Sequence, residues 1–174
     1  TMVQLVQNLA KQYMQKNPEV SIVIVHYGGE KELFQTINKQ RVIKNRFRKS
    51  EFILVDNNET DSVSKIIKSK FDWIKYFKPK NNLGFGGGCN YGRSKAKGKF
   101  LFFINSDILV DYKSFLDLYD FIKKNKKVGI VSPRLINISG KFTPEATREL
   151  TPFRGIFTQS IINKIYPNNP VTKS

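Results

Sequence analysis

Apolar residues along the chain fall into short runs that are separated by polar segments. Four runs predict strands. The first two are rich in β-branched and aromatic residues without sustained alternation with polar positions, which predicts buried strands of a parallel sheet. The predicted strands cover residues 20–25, 52–55, 73–77 and 100–104. Two shorter strands are predicted at 128–131 and 135–138, with a turn at Gly140.

Between these runs, apolar residues recur every three or four positions, which predicts helices. The predicted helices cover 2–16, 30–39, 62–70, 112–124 and 153–166, and a further helix follows the glycine-rich stretch 84–88 and ends at 97. Pro18 ends the first helix, so we interpret residues 1–18 as an amphipathic appendage. Asp61 is the predicted cap of the third helix, and the basic residues 40–50 are interpreted as a solvated connection. Strands that alternate with helices predict an α/β fold with a mostly parallel sheet in residues 19–174.

The net charge bears on the class of binding partner, and the single cysteine bears on disulfide formation. The net charge of +16 attracts an anionic partner, although a lysine-rich proteome gives the same excess. The basic residues are dispersed and no nucleic-acid-binding motif is present, so we expect no nucleic-acid partner. Because Cys89 is the only cysteine, no intrachain disulfide can form, and we interpret Cys89 as a packing residue. No apolar run approaches the roughly 20 residues of a membrane helix. We therefore expect a cytoplasmic protein with peripheral contact at the inner face of an anionic membrane.

Three predicted strands end in polar clusters, which are His26-Tyr27, Asp56-Asn57-Asn58 and Asn105-Ser106-Asp107. The carboxyl ends of parallel strands meet at one edge, where α/β proteins bind ligands. Asp107 is suited to a divalent cation that also binds a diphosphate, and the alternative is that it caps the next helix. Asp56 is suited to accept a hydrogen bond from a base or a ribose, and the alternative is a local Asx-turn.

A glycine-dense segment from Asn82 to Gly88 precedes the predicted helix that ends at 97. Its spacing fits neither the dinucleotide fingerprint nor the Walker loop. Close approach of the backbone to a ligand phosphate is one interpretation, and a tight structural turn is the other. His26 is the only histidine, and no partner that would make it a general base is visible. We interpret it as a strand-end residue beside a pocket or as a packing residue.

The segments 20–27, 53–61 and 82–107, taken in this order, resemble the family 2 glycosyltransferases of GT-A fold, especially the rhamnosyltransferase-like branch. The resemblance covers the chain from residue 20 to residue 140. It implies a Rossmann-like, three-layer fold. It also implies a hexosyltransferase that moves a sugar, with inversion, from a UDP- or dTDP-sugar to a glycan or lipid-linked acceptor. Synthesis of a surface polysaccharide is the implied process.

The resemblance also assigns roles to individual residues. Asp107 is the implied ligand of a Mg²⁺ or Mn²⁺ ion, and Asp56 is the implied contact of the uracil or thymine base. Residues 128–140 are implied to approach donor and acceptor. The full set of implied donor-binding residues is Val25, His26, Tyr27, Asp56, Asn58, Asn82, Gly84, Phe85, Asn90, Asn105 and Ser106.

The chain departs from the family pattern in three places. Asn105 replaces the first acid of the metal-binding motif, and His26 stands where the rhamnosyltransferase-like branch has asparagine. The family's catalytic base lies in an acidic segment farther along, but after Asp120 the only acids are Glu145 and Glu149. We therefore assign no catalytic base and expect the catalytic domain to be incomplete at its C-terminus. The alternative function is a non-catalytic module that binds a nucleotide-sugar or a glycan.

Overall fold

The computed structural model describes residues 2–6, 18–137, 139–140 and 142–143. The chain forms two compact units that divide after Lys124. The first unit contains a four-stranded parallel sheet in the order β3-β2-β1-β4. Its strands are β1 (Val20–His26), β2 (Ser50–Asp56), β3 (Ile74–Phe77) and β4 (Phe100–Asn105). The four main strands predicted from the apolar runs are therefore confirmed.

Helices cover both faces of this sheet and make a three-layer arrangement. They are α1 (Glu30–Arg46), α2 (Ser64–Lys70), α3 (Gly84–Lys95) and α4 (Tyr112–Lys124). One core packs Ile22 and Ile24 of β1 against side chains of α1, α2 and α4, such as Leu33, Ile67 and Phe115. The other core holds alternate residues of β1 and β2, which pack against α3. The predicted α/β class with a parallel central sheet is confirmed.

Helix α1 is longer than the apolar pattern predicted. The interpretation of residues 40–50 as a solvated connection is wrong, because the helix continues to Arg46. Gln40 and Ile43 are buried and extend the inward stripe that begins with Leu33 and Ile37. The helix therefore ends where this stripe ends, and β2 begins at Ser50.

The helix starts show which acids act as caps. The prediction that Asp61 caps α2 is wrong, because α2 begins at Ser64 without a side-chain cap. Asp61 instead bonds two side chains, those of Ser64 and Tyr76, and the Tyr76 hydroxyl donates to it at 3.2 Å. Helix α4 begins where it was predicted to begin. Asp111 caps it, because its carboxylate accepts a hydrogen bond from the Ser114 amide at 2.7 Å.

The second unit contains a short antiparallel pair, β5 (Leu135–Ile136) and β6 (Phe142–Thr143). Gly140 has a φ of 77° between these strands, which confirms the predicted turn. The prediction of a strand at 128–131 is wrong. This segment pairs with no strand among the described residues, and Ile130 is 90% exposed.

Residues 2–6 are helical, as predicted, and their side chains are exposed. The rest of the predicted N-terminal helix and the predicted helix at 153–166 lie outside the described residues. None of the helices in the described part of the chain combines the length and the apolar character needed to cross a bilayer.

Candidate functional site

A cavity of about 440 Å³ opens at the carboxyl edge of the sheet. The end of β1, the turn after it, the start of α3 and the end of β4 form its walls. The predicted site residues that line it are Val25, Tyr27, Asn82, Gly84, Phe85, Asn105, Ser106 and Asp107. The structure therefore brings most of the predicted donor-binding residues and the predicted metal ligand into one space.

Two consecutive glycines form the turn between β1 and α1. Gly28 and Gly29 have φ values of 66° and 65°, in the left-handed region that favours glycine. The Gly28 amide donates a hydrogen bond to the Asn58 side-chain oxygen at 2.7 Å. Asn58 was predicted to bind the donor, but it does not line the cavity. It holds the turn that forms one wall of the cavity.

Hydrogen bonds join the tips of the neighbouring strands β2, β1 and β4. The Asn57 amide donates to the His26 carbonyl at 2.8 Å, and the Ser106 amide donates to the Val25 carbonyl at 3.2 Å. The Asn57 side chain donates to the Gly84 carbonyl at 2.9 Å, which connects the tip of β2 to the start of α3. The cavity walls are therefore held together by direct bonds between the elements that form them.

Asp56 lies beside the cavity but does not line it. Its side chain is fully buried, and one carboxylate oxygen accepts a hydrogen bond from the Asn58 amide at 3.0 Å. This bond is the Asx-turn that was the alternative interpretation. The other oxygen accepts from the Tyr76 hydroxyl at 2.7 Å and lies 3.5 Å from the Lys78 ammonium. Burial and the bond to Asp56 raise the pKa of Tyr76, so the phenol stays a neutral donor. Contact between Asp56 and a base stays a prediction.

His26 is fully buried at the end of β1 and does not line the cavity either. Its Nδ1 atom lies 3.1 Å from the Ser106 hydroxyl oxygen. Its Nε2 atom has no hydrogen-bond partner among the described residues. Burial lowers the pKa of His26 more than the nearby Asp56 carboxylate raises it, so the ring is neutral at neutral pH.

Asp107 lines the cavity with an exposed side chain. The alternative that it caps the next helix is wrong, because Asp111 has that role. No group of three His, Cys, Asp or Glu side chains in the described ranges is placed to hold a metal ion. Within these ranges the cavity is lined by two carboxylates, Glu32 and Asp107. One or two carboxylates suffice for a hard cation whose remaining ligands are phosphate oxygens and water. The residues present fit such a cation.

The glycine-rich segment belongs to helix α3 instead of preceding it. The helix begins at Gly84, which has a φ of 65° and whose amide donates to the Asn82 side-chain oxygen at 2.8 Å. Gly88 and Gly92 are buried against the sheet. A Cβ atom on Gly92 would lie 2.3 Å from Val23 Cγ1. Glycine is thus required for the turn and for close packing of helix on sheet.

Two other residues of α3 differ in their surroundings. Asn90 was predicted to bind the donor, but its side chain is exposed and does not line the cavity. Cys89 packs against the apolar cluster under α3, and burial raises the pKa of its thiol. The interpretation of Cys89 as a packing residue is confirmed.

Four cavity-lining residues were absent from the predicted set: Gly28, Gly29, Glu32 and Asn57. The two glycines directly follow the first predicted strand and were assigned no role in binding. Glu32 lies in the first turn of α1, where an acid is common because it suits the helix dipole. No signal in the linear pattern distinguishes Glu32 from such an acid.

The comparison with protein families decides how this cavity is to be understood. The family model described as Glycosyl transferase family 2 matches residues 21–172. The chain belongs to glycosyl transferase family 2. The predicted membership is confirmed, and the rhamnosyltransferase-like branch stays a prediction.

Two curated relatives and one solved structure illustrate the similarity. Poly(ribitol-phosphate) beta-N-acetylglucosaminyltransferase TarP of Staphylococcus aureus is 26% identical over 137 residues, covering 75% of this chain and 41% of TarP. The UDP-Gal:alpha-D-GlcNAc-diphosphoundecaprenol beta-1,3-galactosyltransferase of Escherichia coli is 27% identical over 118 residues, covering 66% of this chain and 43% of that protein. The crystal structure of GalNAc-T7 with UDP, GalNAc and Mn²⁺ matches with a TM-score of 0.53 and 25% identity, covering 63% of this chain and 22% of that one.

This family 2 chain spans less than half the length of each of these three proteins. The structural likeness confirms the predicted GT-A fold. In that fold the cavity at the carboxyl edge of the sheet is the candidate donor site.

Proposed function

We propose that this family 2 chain binds the nucleoside diphosphate sugar donor of a glycosyltransferase. The observation that carries the proposal is the single cavity that brings the aromatic residues Tyr27 and Phe85 together with Asn105 and Asp107. The two aromatic residues are 66% and 52% exposed, so both are accessible to a nucleobase or a sugar. The volume of about 440 Å³ lies within the range of small-ligand pockets.

The proposed donor is a UDP- or dTDP-sugar that binds with Mg²⁺ or Mn²⁺. Asp107 would hold the cation together with the diphosphate oxygens, and Asn105 would contribute a neutral amide oxygen. Such a cation neutralises charge that develops on the leaving diphosphate. The name of the E. coli relative includes UDP, and the GalNAc-T7 structure contains UDP and Mn²⁺. Both names support this choice of donor and metal.

The proposed reaction transfers the sugar, with inversion, to a glycan or lipid-linked acceptor in surface polysaccharide synthesis. The names of the two relatives support this class, since one acts on poly(ribitol-phosphate) and the other on a diphosphoundecaprenol-linked sugar. Both acceptors are anionic, which suits a chain of net charge +16. We also propose the rhamnosyltransferase-like branch, and a cytoplasmic location with peripheral contact at the membrane.

Titration calorimetry with UDP, dTDP and GDP, each with and without MnCl₂, tests the donor proposal. We expect UDP or dTDP to bind more tightly when MnCl₂ is present. In Asp107→Asn, the Mn²⁺-dependent affinity should fall about 100-fold, or roughly 2.7 kcal/mol, because a charged metal ligand is lost. Asp111→Asn is the matched control, since asparagine keeps the helix cap and residue 111 lies outside the cavity.

Two results would contradict the proposal. One is a wild-type protein that binds none of the three nucleotides, and the other is an Asp107→Asn variant with wild-type Mn²⁺ dependence. Among the described residues, Glu32 and Asp107 are the only acids that line the cavity, and neither is assigned as a catalytic base. The second candidate function is a non-catalytic nucleotide-sugar-binding module. Such a module would bind the donor but transfer no sugar to an added acceptor.

A further inference from the structure

His26 and Ser106 form a buried contact behind the cavity wall. The two side chains belong to different strand ends, and both residues are buried. Besides the 3.1 Å contact between His26 Nδ1 and Ser106 Oγ, the Ser106 amide donates to the Val25 carbonyl. Ser106 is therefore tied to the tip of β1 at two points, one through its backbone and one through its side chain.

Ser106 and the residues on either side of it line the cavity. Asn105 and Asp107 both line the cavity with exposed side chains. The short turn that carries them is closed by one further bond, from the Ile108 amide to the Asn105 carbonyl at 3.2 Å. Any rotation of Ser106 would therefore move its two neighbours as well.

We propose that His26 is a positioning residue, which acts through Ser106 to fix the turn that presents Asn105 and Asp107 to the cavity. The proposal rests on the proposed function, because the orientation of Asp107 matters only if the cavity binds a metal-diphosphate donor. His26 itself does not line the cavity.

Packing alone does not account for an imidazole at this position. An apolar side chain of similar size would fill the space without a buried nitrogen that lacks a partner. The imidazole offers what leucine does not, which is a polar atom in contact with the Ser106 hydroxyl. Gln40 is also buried without side-chain partners among the described residues, but it has no such link to a cavity wall.

Substitutions separate the polar contact from the volume of the side chain. His26→Leu removes the contact, whereas His26→Asn keeps a polar amide atom at the place of Nδ1. Ser106→Ala removes the same contact from the other side. Ser21→Ala is the matched control, because Ser21 is a fully buried serine on β1 whose hydroxyl bonds Glu51 at the opposite end of the strand.

The experiment has two readouts on the whole chain. The first is amide hydrogen exchange of residues 105–108 without ligand, and the second is calorimetric affinity for UDP in MnCl₂. We expect His26→Leu and Ser106→Ala to speed exchange in this turn and to weaken UDP binding about tenfold to 100-fold, as loss of a supporting contact does at metal sites. The double variant should lose no more than either single variant, because both remove one contact. His26→Asn and Ser21→Ala should leave both readouts close to those of the wild-type protein.

Each outcome decides one of the two proposals. Unchanged exchange at 105–108 in His26→Leu would overturn the positioning role, as would a His26→Asn variant that is as impaired as His26→Leu. A wild-type protein that binds none of UDP, dTDP and GDP in MnCl₂ would overturn the proposed function. The exchange measurement would then still decide whether His26 fixes the turn.

Discussion

Polar side chains at the two edges of the parallel sheet differ in how completely they are hydrogen-bonded. At the amino edge, five residues form what we call the amino-edge network: Ser21, Glu51, Lys75, Lys97 and Gly98. Glu51 accepts hydrogen bonds from the Ser21 hydroxyl at 2.5 Å, the Lys75 ammonium at 2.6 Å and the Lys97 amide at 2.6 Å. The Gly98 amide donates to the Ser21 hydroxyl oxygen at 2.8 Å. Burial raises the pKa of Glu51, but these bonds outweigh it, so the pKa lies below its ordinary value.

At the carboxyl edge, polar groups keep unused bonding capacity. His26 Nε2 has no partner in the described part of the chain, and Asp107 faces an open cavity. Buried groups that are all paired make a structure rigid, whereas unpaired groups cost free energy unless a ligand or another partner satisfies them. Each edge has an acid near the strand ends, Glu51 at one and Asp107 at the other. The two acids differ in how completely they are hydrogen-bonded, and this difference distinguishes the amino-edge network from the candidate binding site.

The largest expected effect is at the amino edge. Glu51→Ala leaves the buried Ser21 hydroxyl and the Lys97 amide without their acceptor. We expect the free energy of unfolding to fall by about 3 kcal/mol, because each unsatisfied buried donor costs roughly 1–3 kcal/mol. Urea denaturation measures this change. Affinity for UDP in MnCl₂, measured well below the melting temperature, should stay the same.

Lys75→Ala is the control for that prediction. The Lys75 side chain is 44% exposed, so its ion pair with Glu51 is expected to contribute less than about 1 kcal/mol. Equal losses of unfolding free energy in Glu51→Ala and Lys75→Ala would contradict this prediction. They would mean that the bonds from the Ser21 hydroxyl and the Lys97 amide to Glu51 add little stability. Loss of UDP binding in folded Glu51→Ala would contradict the separation of the two edges.

Two glycines of α3 pack against β1 at different distances from the carboxyl edge, so alanine substitutions there test how far the effect of packing reaches toward the cavity. A Cβ atom on Gly92 would lie 2.3 Å from Val23 Cγ1, and one on Gly88 would lie 2.7 Å from Val25 Cγ1. We expect each alanine substitution to lower the free energy of unfolding by about 2 kcal/mol through overpacking. Only Gly88→Ala should also weaken UDP binding, because Val25 lines the cavity.

The matched control on the same helix is Gly86→Ala, since a Cβ atom there meets no atom within 4 Å. Alanine is a better helix former than glycine, so this variant should be as stable as the wild-type protein or up to about 1 kcal/mol more stable. Chemical denaturation and calorimetry measure all three variants. Equal UDP affinity in the Gly88 and Gly92 variants would argue against a link between α3 packing and the cavity.

The fold could be predicted because its central strands are nearly continuous apolar runs. Buried strands of a parallel sheet have this composition, so the runs alone indicated the class and the approximate strand positions. The ends of the elements could not be predicted, because they depend on three-dimensional packing. Ile43 continues helix α1 only because the folded core buries it, and Glu51 joins β2 only because β1 pairs beside it.

The candidate site could be predicted as a location and only partly as a set of residues. The rule that ligands bind at the carboxyl edge placed Tyr27, Asn105 and Asp107 correctly around one cavity. It did not separate neighbours within a strand tip, because successive side chains point to opposite faces. Val25 therefore lines the cavity while His26 does not.

A smaller effect is expected from Tyr76→Phe, which tests whether Asp56 is a structural acid, like Glu51, or a residue that binds the ligand. The substitution removes a 2.7 Å hydrogen bond, so we expect a loss of about 1 kcal/mol in the free energy of unfolding. It also frees one oxygen of Asp56. If Asp56 contacts the base, the ratio of UDP to CDP affinity should change, since uracil presents an N3–H donor and cytosine does not. Calorimetry with both nucleotides in MnCl₂ measures this ratio.

Asp61→Asn is the control for Tyr76→Phe, because Asp61 is the exposed second partner of the Tyr76 hydroxyl, at 3.2 Å. This variant should change neither stability nor the nucleotide ratio. An unchanged ratio in Tyr76→Phe would place Asp56 among the structural acids, together with Glu51.

The smallest expected effect is a pH dependence that separates the two edges. His26 titrates near 6.5 in the unfolded chain, and burial lowers its pKa in the folded protein. Below pH 6.5 the unfolded state therefore binds more protons, and the free energy of unfolding falls as the pH drops through the folded pKa. Glu51, whose pKa lies below 4.5, loses its contribution only at lower pH. Since the chain has one histidine, His26→Asn should abolish the first decline and leave the second. Urea denaturation of both proteins across this range measures the difference, and a first decline that persists in His26→Asn would mean that another group causes it.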